Sequence, residues 1–302
     1  MQTLATRLLV ARANGANTDD SGLLDALSAI LSDTALEPAF VALALVPPGE
    51  SDIAREIGKD VDPDAVFKSR AGLRKAIGER LGPALAETYK TMQDRGAYSP
   101  DSRSAGRRAL KNVSLDLLAA TGNPAGIGRA TAQYETADNM TDRMAALATL
   151  ALHDVPERKA ALEDFYRRYA EDPLIVDKWL ALQATIPEAG TLDRVLDLTR
   201  HAAFSMQNPN RVRALIGSFA QGNPTQFNRA DGAGFDFVAD QVLALDPKNP
   251  QVASRLTTAF RSWRALETKR RGKAQAALQR VAAAASLSAD VGDIVRRSLA
   301  ES

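Results

Sequence analysis

Cysteine is absent from this chain of 302 residues. Disulfides, thiolate metal ligands and a cysteine nucleophile are therefore excluded, and the composition suits a reducing, cytoplasmic setting. Histidine occurs only at His153 and His201. A peptidase-type zinc site needs two histidines four residues apart on one helix face, with glutamate beside the first as general base. Neither histidine begins such a pattern, and zinc catalysis by this chain alone is not expected. Both fall near expected helix ends, where imidazole commonly meets terminal carbonyls. Charge of one sign is lacking too: 38 basic against 37 acidic side chains leave a formal +1. That balance gives no electrostatic case for nucleic acid. No apolar run is long enough to suggest a membrane span. The apolar N-terminus is broken by Arg7 and Arg12, which reads as an amphipathic first helix rather than a targeting segment.

Period-two alternation is scarce, and valine and isoleucine are few beside alanine and leucine. Apolar residues instead recur at helical spacing. Leu23, Leu24, Leu27, Ile30 and Leu31 form one stripe; Met144, Leu147, Leu150 and Ala151 form another. The helix starts are announced by a cap residue followed by proline, at Asp62-Pro63, Ser99-Pro100, Asn123-Pro124, Asp172-Pro173, Asn208-Pro209, Asn223-Pro224 and Asn249-Pro250. The cap side chain accepts from orphan N–H groups of the first turn, and proline there loses no hydrogen bond. Gly122 and Gly222 suit the left-handed residue that closes the preceding helix. The expectation is all-α: roughly sixteen helices of about 10–18 residues, stacked as antiparallel pairs in a HEAT- or armadillo-like solenoid. No low-complexity linker divides residues 1–302, which read as a single α-helical repeat domain.

Other chemistry finds little support. Asp60-Val61-Asp62-Pro63-Asp64 opens like a calcium loop but has Ala65 and Ala71 where glycine and glutamate belong. Gly126-Ile127-Gly128 is too short for a dinucleotide cradle and follows no expected strand. The basic residues from Arg261 to Lys273, and the group Arg107, Arg108 and Lys111, read as solvated helix faces.

The wording of several blocks is more specific than this grammar. SMQNPNRVRALIGSFAQGNPTQFNRADGAGFDFVADQVLALDPKNPQVASRLTTAFRSWRA, residues 205–265, resembles the C-terminal helical domain of bacterial aminopeptidase N. ETADNMTDRMAALATLA at 135–151 and LIVDKWLALQATIP at 174–187 are similar to further blocks of that zinc-dependent family, in the family order. In them Asn139 reads as a cap for a helix beginning at Met140, Trp179 and Leu180 as core, and Gln183 as a partner for neighbouring backbone.

The resemblance implies a division of labour. In the family, zinc and the grip on the peptide's free amino group belong to a central catalytic domain. The helical domain closes over that site and admits short or unfolded peptides. This chain, with no cofactor of its own, is then expected to be an excised domain or split subunit, partnered in cis or in trans by the catalytic domain and by peptides passing to it. No nucleic acid or membrane partner is expected. The resemblance further suggests Arg213 and Arg255 as cavity-facing groups that steer a peptide carboxylate, with Gln251 and Asn210 beside them. None is expected to act as acid, base or nucleophile. An independent helical scaffold binding peptides or proteins on a concave face is the alternative.

Overall fold

The computed structural model describes residues 1–93 and 96–300. Among them, eighteen α-helices are joined by short connections, and the one β-type contact is an isolated parallel bridge between Val61 and Leu266. No helix is long and apolar enough to cross a membrane. The all-α expectation holds.

The proline rule explains most helix starts. Pro63, Pro124, Pro173, Pro209, Pro224 and Pro250 each open a helix, as do Pro38 and Pro156, which lack an Asn, Asp or Ser before them. Asn123, Asp172, Asn208, Asn223 and Asn249 all accept from first-turn amides, at 2.7–3.4 Å. Ser99-Pro100 departs from the rule. The cap there is Asp101, which accepts from Ser104 N at 2.9 Å and from the Ser99 hydroxyl at 2.5 Å. One helix, Pro63–Thr91, far exceeds the expected length and carries Pro83 inside it. Its cap-like punctuation at Gly82-Pro83 is overridden because Leu73, Ile77, Leu81 and Leu85 keep one buried face through the proline.

Two compact units emerge, Met1–Glu56 with Asp64–Glu163, and Ile57–Pro63 with the chain from Asp164 on. The first has an aliphatic core in which Leu9, Leu45, Ile53, Leu73, Ile77, Leu85, Leu115 and Leu117 are almost fully buried. Close crossings set its geometry. A Cβ on Gly126 would lie 2.7 Å from the Leu118 carbonyl oxygen, so this glycine serves helix packing and no phosphate. Lys111 and Arg108 are buried, which corrects their assignment to a solvated face: the Lys111 ammonium meets Asp142 at 2.6 Å, and the Arg108 guanidinium lies over the Tyr98 ring.

The second unit has an aromatic core. Phe227 meets Phe235 and Phe260 edge-on at 5.1 and 5.3 Å, and Phe219 meets Phe237 at 5.5 Å, contacts worth about 0.5–1.5 kcal/mol beyond area burial. Trp179 and Leu180 are core residues as expected, with Trp179 stacked on Tyr166 at 4.6 Å. Gln183 is buried, yet among the described residues its Nε2 finds no acceptor, contrary to the expected backbone bond. Arg270 is likewise no surface residue. It is buried and donates to Asn228 O at 2.7 Å, Asp62 at 3.1 Å and Glu267 at 3.3 Å. Asp62 thus answers an arginine in place of a calcium ion. Val61 N donates to Ala265 O, and Glu267 N to Val61 O, tying the same corner together.

Candidate functional site: an arginine-lined cleft in the second unit

Asn208 and Asn249 start the two helices that carry the arginines singled out from the sequence. Asn208 Oδ1 accepts from Asn210 N at 2.9 Å and from Arg211 N at 3.4 Å, opening the helix Pro209–Val212. The chain then makes a π-helical turn, Arg213–Gly217, before returning to α-geometry at Ser218–Gly222. In that turn Ser218 N donates to Arg213 O, five residues back, so one extra residue is accommodated. Asn249 accepts from Val252 N at 3.1 Å and opens the helix Pro250–Thr257, which presents Arg255.

Between these helices lies a cleft of about 490 Å³. Arg213 and Arg255 line it, with Thr185, Ser218, Gln221 and Thr258 as further polar groups and Val252 and Leu256 as its buried apolar wall. No carboxylate is among the lining residues. Neither arginine pairs with an acid among the described residues: Arg213 donates only to the neutral amide oxygen of Asn210, at 2.6 Å, and Arg255 has no side-chain partner. Nearby arginines differ. Arg211 pairs with Asp177 at 2.5 Å, Arg229 with Asp231 at 2.7 Å, and Arg280 with Asp240. The Arg229 pair and an amide from Ala233 hold the Asp231 carboxyl down at about 2.

Of the four residues suggested by the sequence, two come together in the cleft. Asn210 is exposed and accepts from the Arg213 guanidinium. Gln251 is exposed and does not line the cleft; its carbonyl accepts from Ser254 Oγ at 3.0 Å.

Sequence reasoning missed what holds the opposite wall. Asn223 is almost fully buried and donates to Ala184 O at 3.0 Å and Ile186 O at 2.9 Å, on either side of Thr185. Its Oδ1 accepts from Gln226 N and from the Thr225 hydroxyl. One side chain therefore caps a helix and fastens the end of another. Gly222, expected as a left-handed closing residue, is not in that conformation, whereas Gly122 is, at φ +74°. Gly222 supplies room instead: a Cβ there would come within 2.8 Å of Thr185 Cγ2.

The histidines offer no metal centre. His201 sits edge-on to Tyr166 at 4.9 Å, and its Nδ1 accepts from Ala203 N at 3.1 Å. Burial, then the Arg74 charge, pull the His153 pKa below its ordinary value. Among the described residues no three His, Asp or Glu side chains are grouped to hold a metal ion.

Residues 1–300 match the family model described as "Domain of unknown function (DUF3458_C) ARM repeats". The chain belongs to this family. It is the helical repeat domain of bacterial aminopeptidase N, the C-terminal domain whose resemblance the sequence blocks carry. It is 38% identical to aminopeptidase N of Caulobacter vibrioides over 99% of its length, covering 35% of that protein. It is 33% identical to aminopeptidase N of Escherichia coli over 91% of its length, covering 32% of that protein. A crystal structure of Legionella pneumophila aminopeptidase A in complex with aspartic acid superposes with a TM-score of 0.90 at 28% identity, covering 99% of this chain and 36% of that one. The chain thus spans about a third of the length of these relatives, and the ARM-repeat description agrees with the solenoid-like reading of the fold.

Proposed function

We propose that residues 1–302 act as one non-catalytic domain of a zinc aminopeptidase N, capping the catalytic site and limiting which peptides reach it. The parent enzyme releases N-terminal amino acids from peptides in the cytoplasm. The residues present here do not fit a zinc site, so the metal belongs to the catalytic domain, the partner of this one in cis or in trans. The observation that carries the reading is the pair Arg213 and Arg255. They face one cleft with no carboxylate to neutralise them, so they are free to accept an anionic group. Guanidinium groups held in this way suit a peptide carboxylate, by charge and by the fork geometry of their donors. Asn210 orients Arg213 by accepting from its guanidinium.

The test is kinetic, in an aminopeptidase carrying this domain. Arg213→Ala and Arg255→Ala are expected to raise KM for short peptides with a free C-terminal carboxylate. kcat should be unchanged, and the same peptides amidated at that end should be little affected. Equal losses for both substrate sets would remove the carboxylate-steering role. Unchanged kinetics in both variants would detach the cleft from peptide handling altogether.

A further inference from the structure

We propose that Arg255, Arg261 and Arg264 form a cationic row that binds an extended peptide segment carrying acidic side chains. The proposal deepens the peptide-handling reading of the cleft and rests on it for the choice of a peptide as occupant.

A change of helix type builds the row. After Pro250–Thr257 the chain tightens into a 3₁₀-helix, Thr258–Ala265, in which side chains three apart eclipse one another. Burial keeps the same count: Thr257, Phe260, Trp263 and Leu266 are each at most 6% exposed. The adjoining edge therefore carries Thr258, Arg261 and Arg264, and both arginines are exposed. Thr258 lines the arginine cleft, and Arg255 stands one turn before it. The row thus starts at the cleft and continues away from it, with about 6 Å between its last two arginines.

Nothing nearby in the chain answers this charge. Residues 198–230 and 247–266, which supply all of the cleft lining except Thr185, contain no Asp or Glu. The acids that border the second stretch are engaged elsewhere. Asp246 is buried and takes the Ser288 amide and hydroxyl, and Glu267 takes the Lys269 and Arg270 amides and the Arg270 guanidinium. Arg261 has no hydrogen-bond or ion-pair partner among the described residues. Arg264 lies over the Trp263 ring at 4.6 Å and donates to Ser298 O at 3.2 Å and Ala300 O at 2.6 Å. Those neutral partners fix its place and leave its charge whole.

Spacing then selects the occupant. An extended chain repeats its same-face side chains every ~6.5 Å, close to the step of the row. Carboxylates on alternate residues therefore fall on successive guanidinium groups, the pairing that charge-assisted hydrogen bonds favour. Single-stranded nucleic acid would want aromatic faces for base stacking, and Phe260 and Trp263 are turned inward.

The test is an NMR titration of the chain of 302 residues with the peptide Ala-Glu-Ala-Glu-Ala, blocked at both ends. Blocking removes the terminal carboxylate assigned to Arg213. Saturable shifts are expected at the Arg261 and Arg264 side chains and at the amides of Thr258–Ala265. The Ala-Gln-Ala-Gln-Ala counterpart should give none. Arg261→Gln should weaken binding about threefold and Arg261→Glu about tenfold. Tm should stay unchanged in both, because the side chain has no partner to lose. Ionic strength of about 1 M should abolish the shifts. Arg213→Ala should leave this peptide's affinity as it is, so failure of the row and failure of carboxylate steering are read separately. Equal binding of the glutamine peptide, unchanged affinity in Arg261→Glu, or no saturable shift at millimolar peptide would each overturn the row. Tighter binding of a thymidine oligonucleotide at the same residues would overturn it in favour of nucleic acid.

Discussion

The two units each enclose a polar space, and they handle charge in opposite ways. In the first, Lys111 and Asp142 are buried together and neutralise one another, with Asn112 and Asn139 donating to the same carboxylate. In the second, Arg213 and Arg255 are exposed to a cleft with no acid in its lining. A buried ion needs its partner to offset the loss of hydration, so the first arrangement is part of the architecture. An exposed guanidinium keeps its hydration and needs no partner, so the second contributes little to folding and remains available for binding.

The largest expected effect breaks the paired side. Lys111→Met leaves Asp142 as an uncompensated buried carboxylate and should cost about 3–5 kcal/mol in denaturant unfolding. The double variant Lys111→Met with Asp142→Leu should recover much of that loss. If the single variant costs less than half the expected amount, the pair is not a structural element. Next comes Asn223→Ala, expected to lose about 1–3 kcal/mol, because Ala184 O is stranded and a helix loses its cap. Since Asn223 fixes the wall beside Thr185, the same variant should raise KM in the parent enzyme as well.

A smaller effect is a pH signature of the first unit. Burial and the Arg74 charge lower the His153 pKa, so the folded state prefers neutral imidazole. The stabilisation is complete above the ordinary value near 6.5 and is lost as pH falls through the lower folded value. The stability difference between wild type and His153→Asn should therefore be flat above about pH 6.5 and decline below it. A difference that grows on acidification would reverse the assignment. The smallest expected effect sharpens the contrast most: Arg213→Ala and Arg255→Ala should each leave stability within about 0.5 kcal/mol of wild type. A loss above 1.5 kcal/mol in either would make the cleft arginines structural, like Lys111.

Much of this was legible in the sequence, because the punctuation is local chemistry. An Asn followed by proline commits the next turn whatever lies around it, and five of the caps accept from the amides expected of them. The choice of Arg213 and Arg255 came from wording, and their freedom from acids became visible only in three dimensions. What stayed hidden depends on partners far away along the chain. Lys111 reads as a surface lysine until Asp142 is seen beside it, and Arg270 until Asn228 and Asp62 are. Gly222 looks like a helix terminator, and only Thr185 reveals it as a clearance. Pro83 would end a helix on local grounds and does not, because tertiary burial outweighs it.

The π-turn at Arg213–Gly217 works as an index mark on the cleft. Each residue in a helix advances the heading of the next by about 100°. The single surplus residue in this turn therefore dials the Pro209 end of the segment by that angle relative to the Ser218 end. Deleting one residue there would leave an unbroken α-helix of ordinary composition, with hydrophobic content and caps intact. Arg213 would swing a quarter turn or more from Arg255, and the bearing between the two guanidinium groups would be gone. The aim of this surface is thus set by counting residues rather than by which residues they are.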